Sequence, residues 1–308
     1  MKAARNAVTV RAAVDGFLAS VDRRHKPATR RSYGRTLEHV ASQLGTDRRL
    51  RKVTGEEIAE VLRALCVGTA PSTWNQRRAA ISSFLAWCAR NGYPAPVLPA
   101  GAGRQPERRE ETPIVSRPAI ERLLTHGVIP LREKTLWRML YETTARATEV
   151  LALNIEDLEL DARRARVPAA DGGIEHIYWA TGTAQLLPGL IRGRTRGPVF
   201  LSERRPGLAR RPPSADICPH TGRARLGYDR ARVLLDRYTR TEATPGWDLR
   251  QLRHSAAAHL AEANVNPQAI MAKGRWRNPR AVMRYVRPRV ADLDAVTRRL
   301  DMAPRPRA

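Results

Sequence analysis

Cysteine is nearly missing from this chain. Cys66, Cys88 and Cys218 are the only three in 308 residues. An odd, widely spaced set without a CxxC pair excludes a disulfide framework and offers no zinc-site spacing, so a reducing cytoplasm is expected. Aromatic residues make up 5% of the chain, which leaves Leu, Val and Ala to build the core. Lysine is scarce too: Lys2, Lys26, Lys52, Lys134 and Lys273 are all there are. No run of 18 apolar residues occurs, which excludes a membrane-spanning helix, and the opening MKAARNAVTV lacks the apolar centre of a signal peptide. Acidic residues are outnumbered, 30 against 55 basic ones, for a net charge of +25. What is abundant is therefore arginine. Its planar fork suits phosphate, and a basic excess of this size points to nucleic acid.

Length suggests about two domains, and the composition changes where two domains would meet. Residues 1–93 read as four amphipathic helices. PATRRSYGRTLEHVASQL places Tyr33, Leu37, Val40 and Leu44 on one face, and Thr54 with Glu57 forms a capping box ahead of the third helix. PAPVLPAGAGRQPERREETP, residues 94–113, is proline, glycine and charge without an apolar period and reads as a linker. From 114 to 290 the pattern is mostly helical. It is interrupted by a hairpin, two short strands around Asp171-Gly172-Gly173, and a short strand is expected at GPVFLS. VADLDAVTRRL, near 291–301, reads as a further helix in a tail that ends at 308. The fold class is mainly α with a small antiparallel sheet.

Four pieces of the second part carry chemistry: TTARATEVLAL with Arg146 and Glu149, LRQLRHSAAAHL with Arg250, Arg253 and His254, KGRWRNPRAVMRY with Trp276 and Tyr285, and the hairpin before Tyr178. A tyrosine hydroxyl, with a reference pKa of about 10, is a poor nucleophile at neutral pH. Two arginines gripping one phosphate would neutralise the developing charge and favour the phenolate, with no metal or cofactor required. Attack would give a 3′-phosphotyrosyl link and a free 5′-hydroxyl, and would keep the phosphodiester energy for rejoining. Taken singly, each residue has a plainer role. Arg146 can pair with Glu149 three residues on. Arg253 can sit in a buried ion pair, Trp276 in the core, and His176 and Tyr178 in the hairpin's framework. His254 reads as a core or supporting histidine rather than a base.

The order and spacing of these boxes resemble the tyrosine recombinases, the phage-integrase family. The likeness runs over residues 8 to 290. It implies a two-domain architecture: a helical, SAM-like core-binding domain (1–93) and a mixed α/β catalytic integrase domain (114–290), clamped around duplex DNA. It implies a site-specific recombinase for DNA integration or excision, working as a homotetramer on paired DNA sites, aided by a directionality or architectural factor and associated with the nucleoid. Tyr285 would be the nucleophile. Arg146, Arg253 and Arg250 would hold the phosphate, Trp276 would donate to it, and Glu149 would support the site. The C-terminal helix would dock on a neighbouring protomer.

Two positions depart from the family pattern. The second box opens with Arg250 in place of histidine, and arginine cannot act as a base near neutral pH. Asp171 stands where the family keeps the hairpin lysine that protonates the leaving oxygen. Lys273 is the nearest lysine that could replace it. An alternative is therefore a DNA-binding protein of the same fold with weak or no catalysis. A type IB topoisomerase would use the same phosphotyrosine logic, and a general nucleic-acid-binding protein would leave the ordered boxes unexplained.

Overall fold

The apolar periods become helices in a computed structural model that describes residues 7–22, 27–107, 112–169, 172–207, 209, 211–286 and 297–298. The chain divides into two units, Met1–Glu110 and Glu111–Ala308.

In the first unit α1 (Val10–Asp22), α2 (Pro27–Leu44), α3 (Gly55–Leu65) and α4 (Pro71–Arg90) enclose one apolar cluster. Leu37, Val40 and Leu44 are buried on α2, with Tyr33 packed beside them. The Thr54–Glu57 box closes in both directions: Thr54 Oγ1 accepts from the Glu57 amide at 3.2 Å, and Thr54 N donates to Glu57 Oε2 at 2.8 Å. The proline-rich stretch after α4 lies along this unit as far as it is described. Trp74 Nε1 donates to Gly103 O at 2.9 Å, Asn75 Nδ2 to Gln105 O at 2.8 Å, and Arg78 Nε to Ala102 O at 2.7 Å.

The second unit is built around α6 (Leu131–Thr143), whose Trp137, Met139 and Leu140 are fully buried. Packed with it are α5 (Arg117–Thr125), α7 (Ala147–Ala152), α8 (Thr181–Ile191), α9 (Tyr228–Thr239) and α10 (Leu249–Glu262). Strands β1 (Leu158–Glu159), β2 (Arg164–Pro168) and β3 (Ile174–Tyr178) form an antiparallel sheet in sequence order. Its register sets Ala165 opposite Ile177 and Arg166 opposite His176, so alternate residues turn inward. Ala165, Val167 and Ile177 are buried accordingly. Gly172, with φ +92°, supplies the left-handed residue of the β2–β3 turn; Asp171 lies outside the described residues.

Two short helices close the described chain, α11 (Pro267–Gly274) and α12 (Arg280–Met283). They share with α10 a small separate cluster of Ala257, Ile270 and Val282, against which Trp276 and Tyr285 pack. The expected helix near 291–301 falls almost wholly outside the described residues.

The strand expected at GPVFLS is not formed. Val199 and Phe200 are fully buried, but the segment divides its backbone bonds between two partners. Val199 N donates to Leu153 O, while Phe200 O accepts from Leu226 N, both at 2.9–3.0 Å. Single bridges at Pro198 and Leu201 result, not a ladder. Several arginines are also structural. Arg225 donates to Leu151 O and Leu153 O and pairs with Asp216, and Arg194 donates to four backbone carbonyls. No described helix is long and apolar enough to cross a membrane.

Candidate active site

The end of α6 sets the first arginine. Thr144 takes a left-handed conformation, φ +52°, and turns the chain so that Arg146 becomes the N-cap of α7. Glu149, in the first turn, accepts from the Arg146 amide at 2.7 Å and from its Nη1 at 2.8 Å. The guanidinium is thus aimed by its own turn, and about half of the side chain (52%) stays exposed.

Arg253 comes from α10, which starts cleanly because Asp248 and Gln251 form a capping box. The helix buries Leu249, Leu252 and Ala256 and, with them, Arg253, which is only 6% exposed. Its Nη1 donates to Thr144 O and its Nη2 to Gly274 O at 2.6 Å, while its Cζ lies 4.0 Å from the centre of the Trp276 ring. Two carbonyls and an aromatic face are neutral partners. Among the described residues no carboxylate is within ion-pair distance of it. Burial, reinforced by Arg146 and Arg275, holds the Arg253 pKa down at about 10. A buried cation without a counter-anion is unfavourable, and an incoming anion would relieve it.

Arg275 was not singled out in the sequence, and it ties the site together. It too is left-handed, φ +53°, at the end of α11, and its side chain is 7% exposed. Nη2 pairs with Glu149 Oε2, and Nε lies 3.2 Å from Glu175 Oε2 on β3. The Arg275 carbonyl lies 3.5 Å from Arg146 Nη2. Burial pushes the Glu149 carboxyl up, but Arg275 and Arg146 outweigh it and leave it below the ordinary value. Its only sequence signal is its place between Gly274 and Trp276, which the abundance of arginine conceals.

Trp276 is seated by Gly274: a Cβ there would fall 1.9 Å from the indole Cζ3. Tyr285 follows α12 directly, and its hydroxyl is hydrogen-bonded to His254 Nδ1, with ring centroids 5.9 Å apart. Burial raises the Tyr285 pKa, against the opposing pull of Arg284 and Arg253. Burial, Arg284, Arg253 and Arg250 together push His254 down to about 4.

Arg146, Glu149, Arg253, Trp276 and Tyr285 are thus linked, directly or through Arg275 and His254, across 140 residues of sequence. Arg250 is not part of this contact network. Its side chain is 74% exposed, and Nε is 3.6 Å from Asp248 Oδ1. His176 lies 3.6 Å from Glu159 and Tyr178 is exposed, both on the hairpin. Lys273 reaches the hairpin as well: its Nζ donates to Tyr178 O at 3.1 Å, and burial lowers its pKa. Among the described residues no group of three His, Cys, Asp or Glu side chains is gathered to hold a metal ion.

Comparison with known proteins places both parts of the chain in one family. Residues 117–291 match the model of the phage integrase family, and residues 14–92 match the phage integrase N-terminal SAM-like domain. Tyrosine recombinase XerD of Neisseria meningitidis (serogroup A, strain Z2491) is 26% identical over 270 residues, which span 81% of this chain and 88% of the relative. Tyrosine recombinase XerC of Mycobacterium sp. (strain KMS) is 27% identical over 269 residues, 82% and 85% of the two chains. Among solved structures, the Tn1549 transposon integrase in complex with transposon right end DNA superposes with a TM-score of 0.68 at 14% identity, over 95% of this chain and 99% of that one. A lambda integrase tetramer bound to a Holliday junction gives 0.58 at 15% identity, over 87% and 77%. With both of its parts matched, the chain belongs to the phage integrase family, the tyrosine recombinases.

Proposed function

We propose that this site-specific recombinase cuts and rejoins duplex DNA through a 3′-phosphotyrosyl intermediate formed on Tyr285. The observation that carries this reading is Arg253, a buried guanidinium whose described partners are all neutral, beside the half-exposed Arg146. A scissile phosphate between them supplies the missing negative charge. The Trp276 indole N–H is a donor for the same group. Tyr285 Oη attacks phosphorus, the P–O5′ bond breaks, and the 5′-hydroxyl is released. In the reverse step a 5′-hydroxyl displaces the tyrosine, so joining needs no added energy source. Glu149 and Arg275 keep Arg146 in register. Lys273 is the proton donor we assign to the leaving oxygen, because burial makes its ammonium more acidic.

The helical domain at 1–93 and the catalytic domain at 114–290 would grip the duplex together. The relative crystallised as a tetramer on a junction favours four protomers on two sites. The test is a nicked suicide DNA substrate carrying the recognition site. A covalent protein–DNA adduct, lost in Tyr285→Phe, is expected. Tight binding without any adduct would leave a DNA-binding protein of the same fold.

A further inference from the structure

The family resemblance places a histidine where this chain has Arg250, and an arginine cannot take a proton from the attacking hydroxyl near neutral pH. The face of α10 that meets Tyr285 supplies another candidate. His254, Ala257 and Ala261 are three and four residues apart and share one helical stripe. Ala257 and Ala261 belong to the small cluster that also holds Val282 and Tyr285. Alanine at those two positions leaves room on that stripe for Val282 of α12 and for the Tyr285 ring. One turn earlier along the same stripe, the Tyr285 hydroxyl meets an imidazole nitrogen.

Resting on the reading of Tyr285 as nucleophile, we infer that His254 is the catalytic residue that accepts the Tyr285 proton, in the place of the histidine that Arg250 replaces. The hydroxyl proton passes to Nδ1, which requires the tautomer with hydrogen on Nε2. The Tyr285 Oη–P bond forms as the P–O5′ bond breaks. The 5′ oxygen takes its proton from the Lys273 ammonium, and the imidazolium passes its own proton through water to the Lys273 amine, so both groups are reset. Religation runs the same transfers backwards. Nucleophile and base within hydrogen-bond reach is the geometry this chemistry requires.

The charges around the pair add a control. Arg250 and Arg253 face His254 from its own helix, Asp248 from that helix's N-cap, and Arg284 from the segment carrying Tyr285. Burial, with three cations against one carboxylate, keeps the imidazole a weak base in the free protein, and burial also keeps the phenol protonated. A phosphate held by Arg253 adds negative charge beside His254 and makes it more basic. Proton transfer is therefore tied to DNA occupancy, and a protein without DNA holds its nucleophile idle.

The experiment compares wild type, Tyr285→Phe, His254→Gln and His254→Ala on the suicide substrate between pH 6 and 9, with DNA binding and thermal unfolding measured alongside. Glutamine can accept the hydrogen bond but cannot hold the proton. His254→Gln is expected to bind DNA and to melt like wild type, and to cleave about 10²–10⁴-fold more slowly at pH 7. Its rate should climb with pH where the wild-type rate is level, and added imidazole should accelerate His254→Ala. Cleavage by His254→Gln within about threefold of wild type, or a slow rate with an unchanged pH profile and no imidazole rescue, overturns the assignment while leaving Tyr285 in place. An adduct surviving in Tyr285→Phe, or none in wild type, overturns the nucleophile itself and the base with it.

Discussion

Replacing Arg253 by methionine separates the energetic cost of this residue from its use. Burial and the neighbouring Arg146 and Arg275 hold its pKa at about 10 against 12.5. At about 1.36 kcal/mol per pKa unit, the folded protein bears about 3 kcal/mol for keeping it charged. The sign follows from linkage: the folded pKa of this base is depressed, so the cost is fully present at neutral pH and fades as pH rises past about 10. Methionine removes that cost but leaves Thr144 O and Gly274 O without their donor, at about 1–3 kcal/mol each. The two effects nearly cancel. The melting temperature of Arg253→Met should therefore move by no more than about 10 °C, given about 2–4 °C per kcal/mol for a domain of this size. DNA cleavage should fall by at least about 10²–10³-fold, the usual loss for one preorganised donor to a transition-state oxyanion. Calorimetry and the covalent-adduct assay on one preparation decide the matter. A drop of more than about 10 °C, or cleavage at an undiminished rate, would refute the view that Arg253 is held for a phosphate rather than for the fold.

Other perturbations follow from the same geometry. Arg275→Ala leaves Glu149 with Arg146 alone and takes the partner from the partly exposed Glu175, so a loss of about 1–3 kcal/mol in denaturant unfolding is expected. Removing Glu149 as well should recover part of it, a coupling that a double-mutant cycle measures. Gly274→Ala drives a methyl into the Trp276 ring and should destabilise the second unit by at least about 1–3 kcal/mol, with cleavage falling further than DNA binding. His254 has a folded pKa of about 4 against 6.5. In acid the unfolded chain takes up its proton first, so stability should fall as pH drops from about 6.5 towards 4 and level off below. Discounted for the partial exposure of the ring, the effect is roughly 1–2 kcal/mol. It should disappear from the difference curve of His254→Gln, while His259, also lowered by burial, keeps its share.

Much of this was legible in the sequence because it rests on local rules. The 3.6-residue apolar period gave the helices of both units, the Thr54–Glu57 box marked α3, and Gly172 marked the hairpin. Glu149 pairing with Arg146 needed only a separation of three residues. What was not legible depends on which distant backbones converge. GPVFLS has a strand's composition, yet its hydrogen bonds are claimed by two unrelated segments. Arg250 and Arg253 lie on one helix three residues apart, and nothing local says that one is exposed while the other is sealed under Trp276. Arg275 is one arginine among many until two carboxylates from different elements meet it. The hydrogen bond between His254 and Tyr285 was hidden because the two are 31 positions apart.

The small cluster under Tyr285 has a kinetic meaning. Among the described residues, Ala257, Ile270 and Val282 are the ones buried in it, while the main core of the same unit is many times larger. Releasing the segment that carries the tyrosine exposes little apolar surface, on the order of a few kcal/mol, far less than global unfolding. Such a piece opens and recloses as a local unit while the rest of the domain stays folded. The fraction of time it is docked then multiplies the rate of every later step. A cavity-forming change such as Ile270→Ala would slow strand cutting by emptying the docked state, with each residue around the phosphate left untouched.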